Sequence, residues 1–309
     1  MPTAEYAATY YKKFGVKAYH DHEFYGQSTS IYIIDMGLTN TEESLRNVKT
    51  RTLINPMGRR NTHGSFVASI IGKMGSYTAA ESSVPGIAPD AQIYLADVSD
   101  SQGAIYTSTL IKAIQDAIDL RVDIISISLG TNVYDQKLEN VVNDAAKKGI
   151  LVFAAAGNCN CRTYEFPAAC ESAISVASMD TNRRLSVFNT RNDAVAVFAP
   201  GQNIKVPGSS RLSGTSFAVP FASGLAALEL SRRRAINPTA VMSRQEAITF
   251  LREVLDLDCS VHTYSTDVCS EKYAGGSFAA NTEEQKAKLF LSCCLALFCV
   301  FVILDKFKK

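Results

Sequence analysis

The chain has 309 residues, of which 47% are hydrophobic and 20% charged, and its 31 Lys and Arg residues nearly balance its 30 Asp and Glu residues. This length allows one or two domains with a large core, and the charge balance gives no overall field that would attract nucleic acid. The run Arg232 to Arg234 fits a solvated helix end, so we expect no nucleic-acid partner.

Residues 1–25 form a polar N-terminal segment. They include Lys12, Lys13 and Lys17 but no apolar stretch like that of a secretory signal peptide. We therefore expect no export through such a signal.

The first apolar run ends in an acid. Residues 30–37 read SIYIIDMG, a short β-branched segment typical of a buried parallel strand that delivers Asp35 at its carboxyl end. An ordinary Asp-x-Gly turn fits the same residues, so the segment alone leaves both interpretations open.

His63 differs in setting from the other three histidines, which lie in polar or Cys/Ser/Thr-rich stretches. Residues 61–72 read NTHGSFVASIIG, in which Asn61 or Thr62 can cap a helix and the apolar positions recur on one face. The pattern predicts a helix that begins at the imidazole. A lone histidine with no chemical role at a helix start is the alternative.

The middle of the chain alternates between apolar, strand-like runs and amphipathic stretches. This alternation predicts one α/β domain over 26–256, with a doubly wound, mostly parallel sheet flanked by helices. No repeat or break in composition interrupts it before about residue 257. The predicted strands lie near 31–35, 92–98, 122–128, 150–155, 173–178 and 195–198, and the predicted helices near 62–73, 104–119, 138–149, 216–233 and 243–254.

Two more candidate side chains are polar. One lies at the end of an apolar run and the other at the start of one. Residues 150–158 read ILVFAAAGN, a strand whose end presents Asn158, and an amide there can stabilise an oxyanion. Residues 214–224 read GTSFAVPFASG, which places Ser216 in the first turn of an apolar helix, where free backbone N–H groups favour negative charge. A serine in this position is also a common helix N-cap.

The C-terminal tail, 285–309, is predicted to be a hydrophobic helix after a linker over 257–284. Its residues 289–304 carry no charge and are flanked by lysines, like a tail anchor. Sixteen helical residues rise about 24 Å, short of a bilayer core of roughly 30 Å, although snorkelling lysines and local thinning can cover the gap. Without a signal peptide, such an anchor would leave the domain facing the cytosol, and without an anchor we expect a cytoplasmic protein. A packing helix or an oligomer contact is the alternative, and the charged terminus argues against a lipid-anchor signal.

The four candidate groups occur in the order acid, imidazole, amide and hydroxyl, each at a strand end or a helix start, which is one of the orders known for serine hydrolysis. The chain resembles the subtilisin-like serine proteases, or subtilases, over roughly 26–256, including the turn and strand at 86–98. An α/β hydrolase is excluded because no Gly-x-Ser-x-Gly motif precedes an Asp and then a His.

The resemblance implies a serine endopeptidase. Ser216 would attack the peptide carbonyl, His63 would take and return the proton, and Asp35 would orient His63. Asn158 and the Ser216 N–H would bind the oxyanion. No cofactor is predicted, and the expected partner is an extended peptide or protein substrate.

The substrate would add a strand to the domain. Residues 122–130 read VDIISISLG and are similar to the family strand whose edge, here Ser128, Leu129 and Gly130, pairs with substrate. Ser99 to Gly103 would form the opposite wall. Taken alone, both segments also fit a strand end and a surface loop.

Glu165 precedes Phe166, Pro167 and Ala168, which resemble the segment beyond the primary pocket of the family. The resemblance places the carboxylate near the floor of that pocket, where it would favour a basic P1 residue because a buried carboxylate needs a cationic partner. The alternative is a glutamate on a surface loop.

Four residues depart from the family pattern. Met36 lacks the hydroxyl that usually stands beside the acid, so we expect looser orientation of the imidazole and reduced activity. Ser65, Phe66 and Phe217 replace the usual Thr, His and Met with changes that packing tolerates. Met36 and the lack of room for a long pro-segment motivate a rival reading, an inactive subtilase fold that binds peptides at a membrane.

The cysteines do not fix the compartment. Cys159, Cys161 and Cys170 lie close in sequence, Cys259 and Cys269 could bridge a short loop, and we expect them to be reduced in a cytosolic domain. The tail holds Cys293, Cys294 and Cys299, which are candidates for palmitoylation. We predict no metal site, because the spacing does not fit zinc and Glu81 is the only carboxylate over 73–84; calcium elsewhere stays open.

Overall fold

The computed structural model describes residues 11–37, 45–53, 62–75, 85–100, 103–206 and 211–255, together with the backbone of residues 288 and 289. The helices are α1 (Val16–Asp21), α2 (His63–Gly72), α3 (Thr107–Asp119), α4 (Gln136–Lys147), α5 (Thr215–Ile236) and α6 (Arg244–Val254). The strands are β1 (Ser30–Asp35), β2 (Val48–Thr52), β3 (Gln92–Asp97), β4 (Ile105–Tyr106), β5 (Ile124–Ile127), β6 (Leu151–Ala155), β7 (Ile174–Met179), β8 (Val195–Pro200), β9 (Ile204–Lys205), β10 (Arg211–Leu212) and β11 (Lys288–Leu289).

In the described part of the chain, a sheet of seven parallel strands has the order β2-β3-β1-β5-β6-β7-β8. Its inner strands are apolar along their whole length because both faces are covered: in β1, Ile31 and Ile33 join one core, whereas Tyr32 and Ile34 join the other. The predicted mostly parallel sheet flanked by helices is confirmed.

Helices cover the two faces of the sheet unequally. Residues of α2, α5 and α6 pack into the first core, and residues of α3 and α4 pack into the second. Helix α5 is buried from Thr215 to Ser231, which is why its sequence is apolar all round rather than on one stripe. This long buried helix fixes the position of its own first turn against the sheet.

The carboxyl ends of parallel strands lie at one edge of a sheet, and the candidate residues collect there. Asp35 is the last residue of β1, Ser128 directly follows β5, and Asn158 comes shortly after β6. Helices α2 and α5 begin at the same edge, because their first-turn residues contact these strand ends. Such an edge is the usual place for ligands in open α/β sheets.

Part of the N-terminal segment packs onto the domain. Phe14 and Val16 are fully buried, and the Phe14 ring meets Phe221 of α5 edge-to-face with centroids 6.0 Å apart. His20 Nε2 donates a hydrogen bond to the carbonyl oxygen of Ile87 at 2.7 Å. Side chains that precede residue 26 therefore help to form the core.

The predicted C-terminal hydrophobic helix is not seen where it can be checked. Lys288 and Leu289 form strand β11, which pairs antiparallel with β4, instead of helix. The remainder of the tail and the predicted linker lie outside the described residues. Among the described residues, no helix combines the length and the apolar character needed to cross a membrane.

Candidate active site

Asp35 and His63 form a buried hydrogen-bonded pair. His63 Nδ1 lies 2.8 Å from Asp35 Oδ1 and 3.0 Å from Oδ2, and the two side chains are 4% and 1% exposed. A carboxylate can only accept, so the proton of the neutral imidazole is on Nδ1 and the basic nitrogen is Nε2. This is the tautomer that a general base acting at Nε2 needs.

The main chain brings these two residues together. His63 is the first residue of α2, and Gly64 lies so close to Gly37 that a Cβ atom on Gly64 would be 2.2 Å from the Gly37 carbonyl oxygen. Only glycine permits this contact between the helix start and the turn that follows β1. The Gly after the histidine is therefore a condition for the acid–imidazole distance.

Met36 does not leave the acid without a local donor. The Met36 backbone N–H donates to Asp35 Oδ1 at 2.7 Å, so that oxygen accepts from the main chain as well as from His63. The Met36 side chain is buried in the second core, and a Cβ atom on Gly103 would lie 3.7 Å from its terminal methyl group. Asp35 therefore keeps a main-chain donor although residue 36 has no hydroxyl.

Ser216 is the second residue of α5 and is fully buried. Its Oγ donates to the Ser128 carbonyl oxygen at 2.9 Å, and Ser128 Oγ donates back to the Ser216 carbonyl oxygen at 2.9 Å. Gly214 occupies the N-cap position of this helix, so the cap residue itself has no side chain that could accept a hydrogen bond from the first turn. The interpretation of Ser216 as an N-cap is therefore wrong.

Helix α5 also reaches the imidazole. The ring of Phe217 lies with its centroid 5.4 Å from that of His63, at an interplanar angle of 45°. Since Phe217 directly follows Ser216, the start of α5 and the start of α2 are neighbours. The acid, the imidazole and the serine thus lie in one small region of the sheet edge.

Asn158 is tied to the same helix start. The Thr215 backbone N–H donates to Asn158 Oδ1 at 2.9 Å, and the Gly157 N–H donates to Thr215 Oγ1 at 3.3 Å. A backbone N–H cannot accept, so the amide atom that faces it is the oxygen, and the NH₂ group of Asn158 points the other way as a donor. Sequence reasoning missed Thr215, whose only signal was its place before Ser216.

The predicted substrate edge meets the segment that contains Glu165. Leu129 is 3% exposed and packs in the second core, so this edge offers its main chain rather than that side chain. Next to it, Thr131 and Phe166 exchange backbone hydrogen bonds of 2.9 and 2.7 Å. A Cβ atom on Gly130 would lie 3.5 Å from Glu165 Oε2.

Glu165 lies between two chain segments and not on the surface. A Cβ atom on Gly157, where φ is +105°, would be 2.6 Å from Glu165 Cγ, so glycine is needed for the side chain to fit. Glu165 is 6% exposed, and this burial raises the pKa of its carboxyl to about 7. The interpretation as a surface-loop glutamate is wrong. Within the described part of the chain, burial is the one cause of this raised pKa, and no neighbouring cation offsets it.

The loop after Asn158 contains a disulfide. Cys159 and Cys161 are bonded to each other, with Cα atoms 5.1 Å apart, and Cys170 is buried in the second core. The expectation that these two cysteines are reduced is therefore corrected. Within the described ranges, no three His, Cys, Asp or Glu side chains converge on a point where they could hold a metal ion. The loop over 73–84, considered for calcium, lies mostly outside those ranges.

A protein-family model described as the Subtilase family matches residues 26–255. Subtilisin E of Bacillus subtilis (strain 168) is 31% identical over 243 residues, which cover 74% of this chain and 62% of that protein. The subtilisin of Bacillus pumilus is also 31% identical over 243 residues, with 86% of its length covered. The chain thus spans 62% of the length of the first of these relatives, less than two thirds.

Two solved structures of proteases superimpose on this chain. The prenylagaramide maturation protease PagA superimposes with a TM-score of 0.64 at 27% identity, covering 77% of this chain and 86% of that one. The patellamide maturation protease PatA superimposes with a TM-score of 0.61 at 28% identity, covering 77% and 90%.

Proposed function

Because the chain belongs to the subtilase family, we propose that it is a serine endopeptidase that hydrolyses peptide bonds with Asp35, His63 and Ser216. One observation carries this proposal: the imidazole that hydrogen-bonds to the Asp35 carboxylate also lies 5.4 Å, centroid to centroid, from the ring of the residue that follows Ser216. No cofactor is needed, because the base, the nucleophile and the oxyanion donors are all groups of the chain.

In the first step, Ser216 Oγ attacks the substrate carbonyl carbon and His63 Nε2 takes its proton. The hydroxyl, which donates to the Ser128 carbonyl at 2.9 Å, must turn toward the imidazole for this transfer. Asp35 keeps the proton of the neutral imidazole on Nδ1 and stabilises the imidazolium that forms. The reaction yields an acyl-enzyme and a free amine, to which His63 returns the proton.

The developing oxyanion would be held by the NH₂ group of Asn158 and the backbone N–H of Ser216. The hydrogen bond from Thr215 N–H to Asn158 Oδ1, 2.9 Å long, fixes the direction of that NH₂ group before substrate arrives. Such preorganised donors stabilise the transition state more than the ground state. A water molecule, activated by the same imidazole, then hydrolyses the acyl-enzyme.

The substrate would bind as an extended strand along Ser128 to Gly130, with main-chain hydrogen bonds that do not depend on its sequence. Selectivity would come from Glu165, which is 6% exposed beside Gly130 and Gly157. A Lys or Arg at P1 would supply the cation that this carboxylate lacks among the described side chains. The proposed substrates are therefore peptides or proteins with basic P1 residues.

A fluorophosphonate probe tests the proposed nucleophile, because it forms a stable adduct with an activated serine. We expect labelling of the folded wild type and none of Ser216→Ala. Ser223→Ala is the matched control, since Ser223 is a fully buried serine of the same helix whose Oγ donates to the Val219 carbonyl at 2.9 Å. Folded wild-type protein that takes up no Ser216-dependent label would contradict the proposal and favour the alternative, a peptide-binding protein that does not cut.

A further inference from the structure

The disulfide lies between the two residues to which we assign catalysis and selectivity in this loop. Cys159 directly follows Asn158, and Cys161 precedes Glu165 by four positions. Cys159 and the intervening Asn160 are exposed and Cys161 is half-buried, so a solvent thiol can reach the bond. Exposed disulfides are more readily reduced than buried ones.

This disulfide is poorly suited to stabilise the fold. It joins residues two positions apart, and the entropy that a cross-link removes from the unfolded chain grows with the length of the loop it closes. Both cysteines also belong to the same loop, so the bond holds no separate elements together. Its effect is therefore local to the segment beside Asn158.

The bond holds a turn whose middle residue is in a left-handed conformation, with φ of +51° at Asn160. The Asn160 N–H donates to the Phe188 carbonyl oxygen and the Arg191 N–H donates to the Cys161 carbonyl oxygen, each at 2.9 Å. Arg191 Nη2 also donates to the side-chain oxygen of Asn160 at 2.5 Å. The turn is thus docked on the segment 188–191.

Thr190 of that segment connects the turn to the oxyanion residue. Its N–H donates to the Gly157 carbonyl oxygen at 2.9 Å, and its Oγ1 lies 3.3 Å from Cys159 Sγ. These contacts flank Asn158 on both sides. A change of the turn between Cys159 and Cys161 is therefore transmitted to Asn158.

We propose that Cys159 and Cys161 form a redox site that exchanges with dithiols, and that reduction of the disulfide lowers kcat because Asn158 loses its fixed position. The kinetic half of this statement rests on the proposed peptidase activity. The redox half does not, since it concerns the bond alone.

The exchange begins when a thiolate of the dithiol attacks the Cys161 sulfur. The S–S bond breaks, and its electron pair leaves on the Cys159 sulfur, which takes a proton from solvent. Cys159 Sγ suits the leaving group because the Cys161 N–H donates to it at 3.2 Å and the Thr190 hydroxyl can direct its proton there. The second thiol of the reductant then attacks the reductant's own sulfur in the mixed disulfide and releases Cys161 as a thiol. Two electrons and two protons pass to the protein, and the dithiol becomes a cyclic disulfide.

The test equilibrates the full chain in mixtures of reduced and oxidised dithiothreitol. Differential alkylation and mass spectrometry of the peptide that contains both cysteines give the redox state, and peptide hydrolysis gives kcat and KM in the same samples. Cys159→Ser/Cys161→Ser is the matched control, because any effect of the reductant through other cysteines survives in it. Hydrogen exchange of the loop amides reports its mobility without reference to activity.

We expect the oxidised wild type to have a kcat about tenfold to a hundredfold above that of the reduced form, with KM changed less than about twofold. The kcat of the double variant should equal that of the reduced wild type and should not change with the reductant. An unchanged or higher kcat in fully reduced protein would overturn the proposal, as would a pair that stays fully reduced or fully oxidised across the mixtures. If neither state hydrolyses peptide or takes up a fluorophosphonate, the proposed function fails. The alkylation ratio and hydrogen exchange then still decide whether the pair exchanges and whether reduction loosens the loop.

Discussion

The acid–imidazole half of the candidate site and its pocket half are built in different ways. Asp35 and His63 lie at the end of a central strand and the start of a buried helix, and each carboxylate oxygen is within 3.0 Å of a donor. Glu165 and the disulfide lie on a loop, and the Glu165 carboxyl has no charged partner among the described side chains. The carboxylate of the first half is therefore hydrogen-bonded within the chain, whereas under the proposed function the carboxylate of the second would be paired only by a cation on the substrate.

The largest effect is expected from a substitution in the acid–imidazole half. Asp35→Asn keeps the size of the side chain but presents an amide to Nδ1, which favours the wrong imidazole tautomer. We expect kcat to fall on the order of 10⁴-fold, as in serine proteases with this constellation. Steady-state hydrolysis of a peptide measures it, with Asp119→Asn, an exposed acid on α3, as control. A loss below tenfold would mean that the pair does not act in catalysis.

Asn158 connects the two halves. It lies on the same loop as the disulfide, and its Oδ1 accepts from Thr215 at the start of α5, the helix that also contacts His63. Asn158→Ala should lower kcat by roughly 10² to 10³, the loss seen in related enzymes when one oxyanion donor is removed, with little change in KM. The exposed Asn140→Ala on α4 is the control. An effect confined to KM would assign Asn158 to substrate binding instead.

Glu165→Gln should act on selectivity and spare the chemistry. The ratio of kcat/KM for matched Arg and Phe P1 substrates, measured at pH 8.5, should fall about tenfold to a hundredfold because the pocket loses its charge. Turnover of the Phe substrate should stay the same or rise. The exposed Glu171→Gln serves as control, and a ratio equal to that of the wild type would refute the assigned pocket.

The smallest effect expected is on stability, and its sign follows from the burial of Glu165. Burial raises the pKa of the folded carboxyl from 4.5 to about 7, so the folded state binds more protons than the unfolded state between these values. The free energy of unfolding of the wild type should therefore fall, relative to Glu165→Gln, as pH rises from 5 to 8. The expected difference is on the order of 2 kcal/mol. Urea unfolding of both proteins at the two pH values measures it, and parallel curves would contradict it.

Sequence reasoning predicted the acid–imidazole half better than the pocket half. The strand that ends in Asp35 and the helix that begins at His63 are marked by apolar runs and by the glycine after each, because burial on both faces demands such runs. Strand β2 was missed because this edge strand alternates with Lys49 and Arg51 and shows no apolar run. Helix α3 begins at Thr107 rather than near 104, because Ile105 and Tyr106 form a strand instead.

The pocket half depends on contacts that spacing cannot reveal. The depth of Glu165 depends on Gly157, which comes from a different part of the chain and where a Cβ atom would lie 2.6 Å from Glu165 Cγ. The pairing of Cys159 with Cys161 depends on local backbone geometry and on redox conditions, neither of which is written in the spacing of cysteines. The resemblance to a family supplied the pocket position, and the residues alone did not.

The contact of Gly64 with Gly37 has a consequence for how this protein can diverge. The main chain of Gly64 contacts the main chain of Gly37 directly. The distance between Asp35 and His63 therefore does not depend on which side chains fill the core below α2. Mutational drift in that core should therefore lower the melting temperature before it lengthens the hydrogen bond between Asp35 and His63. Conversely, a single methyl group at position 64 would push α2 away from the turn at Gly37 and leave every candidate catalytic side chain in the sequence.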